Sequence, residues 1–243
     1  MGKPLPKMPG GPDPTIAANF VPPMTIVANP KAVDSPTVYY GAKNLWVTTN
    51  PTATPRPTWV QITHYKGSFV SSIAVAPSNP NVVYVGFDNG TVLVSDNATS
   101  ATPTFTAISP NVPLWVTHIA VSPSNPGAIA LTFSNNNSQY QAEAPMVVSG
   151  SVNLTGTPAA TYSNITGNLP TGVASNSVVF DGKYLVVATD VGAFFTGAAH
   201  ANATLWYTAG VNLPAVQVIG LTEDGRGDLY AASHGRGVWK LTL

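Results

Sequence analysis

From residue 73 to residue 96 apolar and polar side chains alternate with period two, interrupted twice by turn residues, in IAVAPSNPNVVYVGFDNGTVLVSD. Such alternation puts successive side chains on opposite faces of a half-buried strand. The stretch reads as a strand at 73–75, a Pro/Ser/Asn turn, a second strand at 82–85, an Asp-Asn-Gly turn and a third strand at 91–94. The phrase returns at 119–132 as IAVSPSNPGAIALT, with weaker echoes elsewhere. Each unit can be anchored on the last apolar residue of its first strand: Val27, Val75, Val121, Phe180 and Leu221. The anchors are 48, 46, 59 and 41 residues apart, and from Leu221 through the C-terminus and on from residue 1 to Val27 is 49. The chain thus closes on itself at one more repeat length. Five units of four short strands predict an all-β, five-bladed β-propeller, whose blades take roughly 40–50 residues.

The expected blades are 21–63, 68–109, 115–166, 175–209 and 215–243. The last has three strands, and TIAANF at 15–20 is expected to supply its fourth, completing the blade beside residues 238–243 and removing an open edge. Residues 15–243 then form one propeller domain behind a Pro/Gly-rich, disordered lead at 1–14. No helix is expected, since no amphipathic stripe of helical period runs for a useful length.

Composition narrows the partners. Charged residues make up 8% of the chain and the formal net charge is zero, so the basic excess a nucleic-acid or anionic surface would require is missing. No run is long and apolar enough for a membrane span. Cysteine is absent, which removes disulfides and thiolate metal sites. The opening residues contain no apolar core of a secretory signal. A Thr/Ser/Asn-rich, charge-poor surface fits an extracellular or periplasmic monomer whose partner is a small molecule or a carbohydrate.

The repeat IAVAPSNPNVVYVGFDNG and the ending LYAASHGRGVWKL resemble the BNR (Asp-box) and sortilin-like propeller repeats, including those of xyloglucanase-type glycoside hydrolases. The likeness covers nearly all of 21–243. That family carries Ser-x-Asp-x-Gly-x-x-Trp between its third and fourth strands. Here Ser95 and Asp96 match it in the second unit, with Phe105 in the aromatic place; Trp59, Tyr162 and Trp206 hold that place elsewhere without the Asp. The resemblance implies a propeller and a glycoside-hydrolase-like setting. Repeats specify architecture better than activity, however, and the larger relatives have more blades, so no active-site residue carries over by position.

Propeller geometry sorts the polar residues. Turns between second and third strands, and the connections between blades, belong to the face around the mouth of the central funnel. That face is expected to hold Asp88, Asp190 and His118 as catalytic groups. Around them Lys43, His64, Tyr65, Lys66, Trp115, Tyr140, Glu143, His234 and Arg236 would bind substrate. Each has a structural reading too: Asp88 and Asp190 as turn residues, His118 as a hydrogen-bonded core histidine, Trp115 as a cap on the core. The opposite face holds PSNP twice, Asp181-Gly182 and the acidic loop 223–228, a conceivable Ca²⁺ loop without the ligand spacing of an EF-hand. No nucleophile elbow, zinc-helix, phosphate-loop or dinucleotide motif is present. Two functions follow. One is a hydrolase acting on a glycosidic, lactone or ester bond, with Ca²⁺ as a conceivable cofactor. The other is a non-catalytic ring that binds carbohydrate or protein.

Overall fold

The computed structural model describes residues 18–28, 35–134, 146–197, 205–224 and 226–243. They form an all-β, five-bladed propeller without helices. Blade one is β1 (Met24–Val27), β2 (Thr37–Gly41), β3 (Leu45–Thr48) and β4 (Val60–Gln61). Blade two is β5 (Val70–Val75), β6 (Val83–Phe87), β7 (Val92–Ser95) and β8 (Thr106–Ala107). In blade three β9 (Val116–Val121), β10 (Ala128–Phe133), β11 (Val147–Asn153) and β12 (Ala159–Asn164) follow, and in blade four β13 (Ser175–Asp181), β14 (Tyr184–Thr189), β15 (Gly192–Gly197) and β16 (Tyr207–Thr208). Blade five is β17 (Val218–Glu223), β18 (Leu229–Ser233) and β19 (Gly237–Leu241). Each sheet is an antiparallel meander in chain order.

The first strand of each blade is innermost, with β5 packed on β9, β9 on β13 and β13 on β17. Each of these four strands is bulged at its second residue: Ser71, Thr117, Asn176 and Ile219. The bulge turns that side chain toward the next blade. Ser71 Oγ donates to Val116 O at 2.7 Å, Thr117 Oγ1 to Ser175 O at 2.6 Å and Asn176 Nδ2 to Val218 O at 2.9 Å. Asn19 Nδ2 makes the equivalent bond to Val70 O at 2.9 Å. A second set of ties lies one residue on: Ser72 Oγ accepts Ile119 N–H at 3.0 Å and Ser177 Oγ accepts Leu221 N–H at 3.2 Å.

Four apolar clusters fill the four successive junctions. Leu45, Ile62, Val70 and Phe87 lie between blades one and two, and Val92, Ile108, Val116 and Leu131 between two and three. Val147, Ile165, Val178 and Trp206 lie between three and four, and Ala193, Ala209, Val218 and Leu241 between four and five. The tight inner packing requires glycine at residue 86, where a Cβ would come within 2.7 Å of Val116 Cγ1. At the mouth a Cβ on Gly90, whose φ is +85°, would lie 1.8 Å from Val112 O.

The segment expected to supply the fourth strand of blade five, 15–20, is described only from Ala18 on. Residues 15–17 lie outside the described residues, Ala18 to Phe20 carry no strand, and Asn19 is tied to blade two. The lead at 1–14 also lies outside them.

Candidate functional site

One recurring backbone bond fixes the mouth face. The amides of Asp88, Ser134, Asp190 and His234 donate to the carbonyls of Phe69, Trp115, Ala174 and Gln217, at 3.1, 3.0, 3.2 and 2.8 Å. Each second-to-third-strand turn is thus hooked to the residue that precedes its own innermost strand. Asp88, Trp115, Asp190 and His234 therefore share one face, as the sequence leads one to expect.

The two aspartates brace these hooks. Asp88 accepts from Ser68 Oγ and, at 3.2 Å, from the Phe69 amide. Asp190 accepts the Ala174 amide at 3.2 Å, Asn176 Nδ2 at 3.0 Å and Gln217 Nε2 at 2.8 Å. Gln217 then accepts His234 Nδ1–H on its Oε1 at 2.9 Å. Because the amide nitrogen must face the carboxylate, its oxygen must face the imidazole. This fixes the Nδ1–H tautomer and turns the Nε2 lone pair outward on an exposed ring.

His118 does not join them. It is part-buried between β9 and β13, with Nδ1 2.9 Å from Val178 O and 3.3 Å from Val178 N. Burial holds its pKa below the ordinary 6.5 despite the backbone bond, so the ring stays neutral. In the unfolded chain it protonates near 6.5, so its contribution to stability is complete above that pH and is lost as the pH falls below it. Thermal midpoints should fall between pH 7.5 and 5.5, and fall less in His118→Gln; an equal fall in both proteins would remove His118 as the cause.

The remaining mouth residues are aromatic, amide and basic groups. Tyr65 packs its ring on Phe87 at 4.5 Å and bonds Thr91 Oγ1 and Asn89 Nδ2 through its hydroxyl, at 2.9 and 3.1 Å. Gln61 Nε2 lies 3.0 Å from His64 Nδ1, and Lys43 Nζ sits 5.9 Å over the Phe69 ring. Trp115 is 41% exposed, and Lys66 and Arg236 are exposed. Tyr140 and Glu143 lie outside the described residues. Sequence reasoning missed Gln61, Asn89, Asn176 and Gln217. Each is an amide with an ordinary turn or strand reading, and only the fold shows what it reaches.

On the opposite face a cleft of about 460 Å³ opens between blades four and five, lined in part by Asp181, Lys183, Tyr184, Asp228 and Lys240. Two of its charges are paired with each other. Lys240 Nζ is 2.6 Å from Asp228, which raises its pKa, and Lys183 Nζ lies 5.1 Å over the Tyr184 ring. Asp224 is held below the usual carboxylate range by the amides of Asp228 and Arg226, at 2.9 and 2.8 Å. Among the described residues no group of three or more His, Cys, Asp or Glu is arranged to hold a metal ion.

The β-propeller domain of Myceliophteria thermophila Cps50 (Swd1) superposes with a TM-score of 0.62 over 93% of this chain and 67% of that one, at 10% identity. The shared feature is the propeller fold. No family model and no curated protein matches the chain.

Proposed function

We infer that this protein is a non-catalytic propeller that binds neutral carbohydrate at the funnel mouth. One observation carries the reading: the groups nominated for catalysis are committed to holding the fold. Asp88 and Asp190 brace their own turns, and the part-buried His118 is bonded to the Val178 backbone. The mouth instead presents Trp115, Tyr65, Asn89, Gln61 and His64. Aromatic faces with amide donors and acceptors suit a sugar ring, whose C–H face stacks and whose hydroxyls both donate and accept hydrogen bonds. The charge-poor composition and the BNR-like repeats agree with a carbohydrate ligand outside the cell. Titration against neutral polysaccharides and their oligomers should show saturable binding, weakened about tenfold or more by Trp115→Ala with no change in thermal midpoint. Undiminished affinity in that variant would remove the mouth as the site.

A hydrolase acting on a glycosidic or ester bond is the second reading, favoured by the Asp190–Gln217–His234 chain. Its fixed tautomer leaves His234 Nε2 free to take a proton. Hydrolysis of such substrates that disappears in His234→Gln, with binding intact, would establish it.

A further inference from the structure

Among the described residues, the fifth junction lacks what seals the other four. In blades one to four the first or second residue of the third strand is Leu45, Val92, Val147 or Ala193, at 0, 0, 0 and 2% exposure. The corresponding residue of blade five, paired across from Ala232 as Val147 is from Thr132, is Val238, at 70%. Exposed as well are Ile219 on the inner strand of blade five, at 55%, and Met24 and Ile26 on β1, at 61 and 62%. Ile219 occupies the bulge position from which Ser71, Thr117 and Asn176 tie the next blade, and it has no polar atom to do so.

Among the described residues blade five has no fourth strand, and the four counterparts of that strand specify the chemistry that would fit there. In each, an apolar residue at Ile62, Ile108, Ile165 or Ala209 donates its amide to the carbonyl of Leu45, Val92, Val147 or Ala193, at 2.9, 2.9, 3.0 and 2.8 Å. These four are 7, 5, 1 and 2% exposed and plug the junction with the following blade. The next residue, Thr63, Ser109 or Thr166, accepts the amide of Leu45, Val92 or Val147 on its hydroxyl. Three residues before the plug stands an aromatic. Tyr162 and Trp206 donate from the ring hydroxyl or nitrogen to the carbonyls of Ile108 and Ile165, the plugs of the preceding blades.

We propose that blade five accepts an extended strand from a partner polypeptide, of pattern Tyr/Trp-x-x-Ile-Ser/Thr. The strand pairs along β19, plugs its Ile between Val238 and the Met24/Ile26 surface of β1, and carries its aromatic donor to Ala209 O. This is strand addition at a sheet edge: backbone bonds supply affinity and alternate side chains supply selectivity. The segment at 15–20 does not meet the pattern. It carries no aromatic three residues before an Ile-Ser/Thr pair, and Asn19 is already tied to Val70 O.

A labelled peptide of sequence TPAATYSNIT, copied from residues 157–166, serves as the probe on the full chain. Fluorescence anisotropy should show saturable binding with a raised thermal midpoint. Asp in place of the peptide's Ile, or Val238→Asp in the protein, should each weaken it about tenfold or more. Absence of binding, or equal binding by the Asp peptide, overturns the proposal. It is overturned as well if light scattering shows a dimer that Val238→Asp dissociates, since the occupant is then a second copy. A fall in midpoint on Ile16→Asp does the same, because the chain's own leading segment then fills the groove.

Discussion

Val92→Asp is expected to unfold the protein, whereas Val238→Asp, at the same position three blades on, should leave its thermal midpoint within about 2 °C of the parent. Val92 is the first residue of its third strand and Val238 the second of its own, and both are valines. Val92 is wholly enclosed by Ile108, Val116 and the rest of the junction between blades two and three. A carboxylate there would lose its water and gain no partner, a penalty of several kcal/mol even after partial protonation. Domains of this kind hold only about 5–15 kcal/mol in reserve. Val238, at 70% exposure, is already in water, and exposed substitutions typically change stability by about 0.5 kcal/mol or less. Far-ultraviolet circular dichroism melts of the two variants make the comparison. Equal loss in both would mean that the junction between blades five and one is sealed like the others, and would remove the open groove.

The contrast also shows how far the sequence could be read. Alternation, the PSNP and Asp-Asn-Gly turns and the even spacing of the anchors were enough for five meanders in a ring, because period and turn chemistry are local properties. Val238 looks like Val92 in the sequence because burial depends on a neighbour supplied from elsewhere. The three strands of blade five were countable, but which segment covers them was not: TIAANF has strand-like composition, and only the fold shows Asn19 pinned beside the axis.

The mouth followed the same rule. That Asp88, Asp190, Trp115 and His234 share a face follows from the topology of a four-stranded meander. What each carboxylate touches depends on residues 14 to 27 positions away, such as Asn176, Ser68 and Gln217. The bulge that turns Asn176 toward blade five is invisible to a period-two reading, which puts every second side chain on one face. The turn reading and the acid/base reading of an Asp-x-Gly predict the same sequence, so coordinates had to separate them.

Asp190→Ala should lower the thermal midpoint by about 4–10 °C, the equivalent of about 2–3 kcal/mol in a chain of this size. The carboxylate accepts three donors, from the Ala174 backbone, Asn176 and Gln217, and so joins the second-to-third-strand turn of blade four to the start of its own inner strand and to blade five. Removing it leaves those donors to whatever water reaches the rim, which holds the loss below that of a core cavity. It also releases Gln217 from the orientation that sets the His234 ring. Asp190→Asn separates bracing from chemistry. Its carbonyl oxygen can keep the Asn176 and Gln217 bonds while its amide nitrogen cannot accept from Ala174, so about a third to a half of the loss should appear. Carbohydrate binding should then survive, because a brace needs an acceptor and not a charge. An acid/base role requires complete loss of turnover in Asp190→Asn, whatever happens to the midpoint.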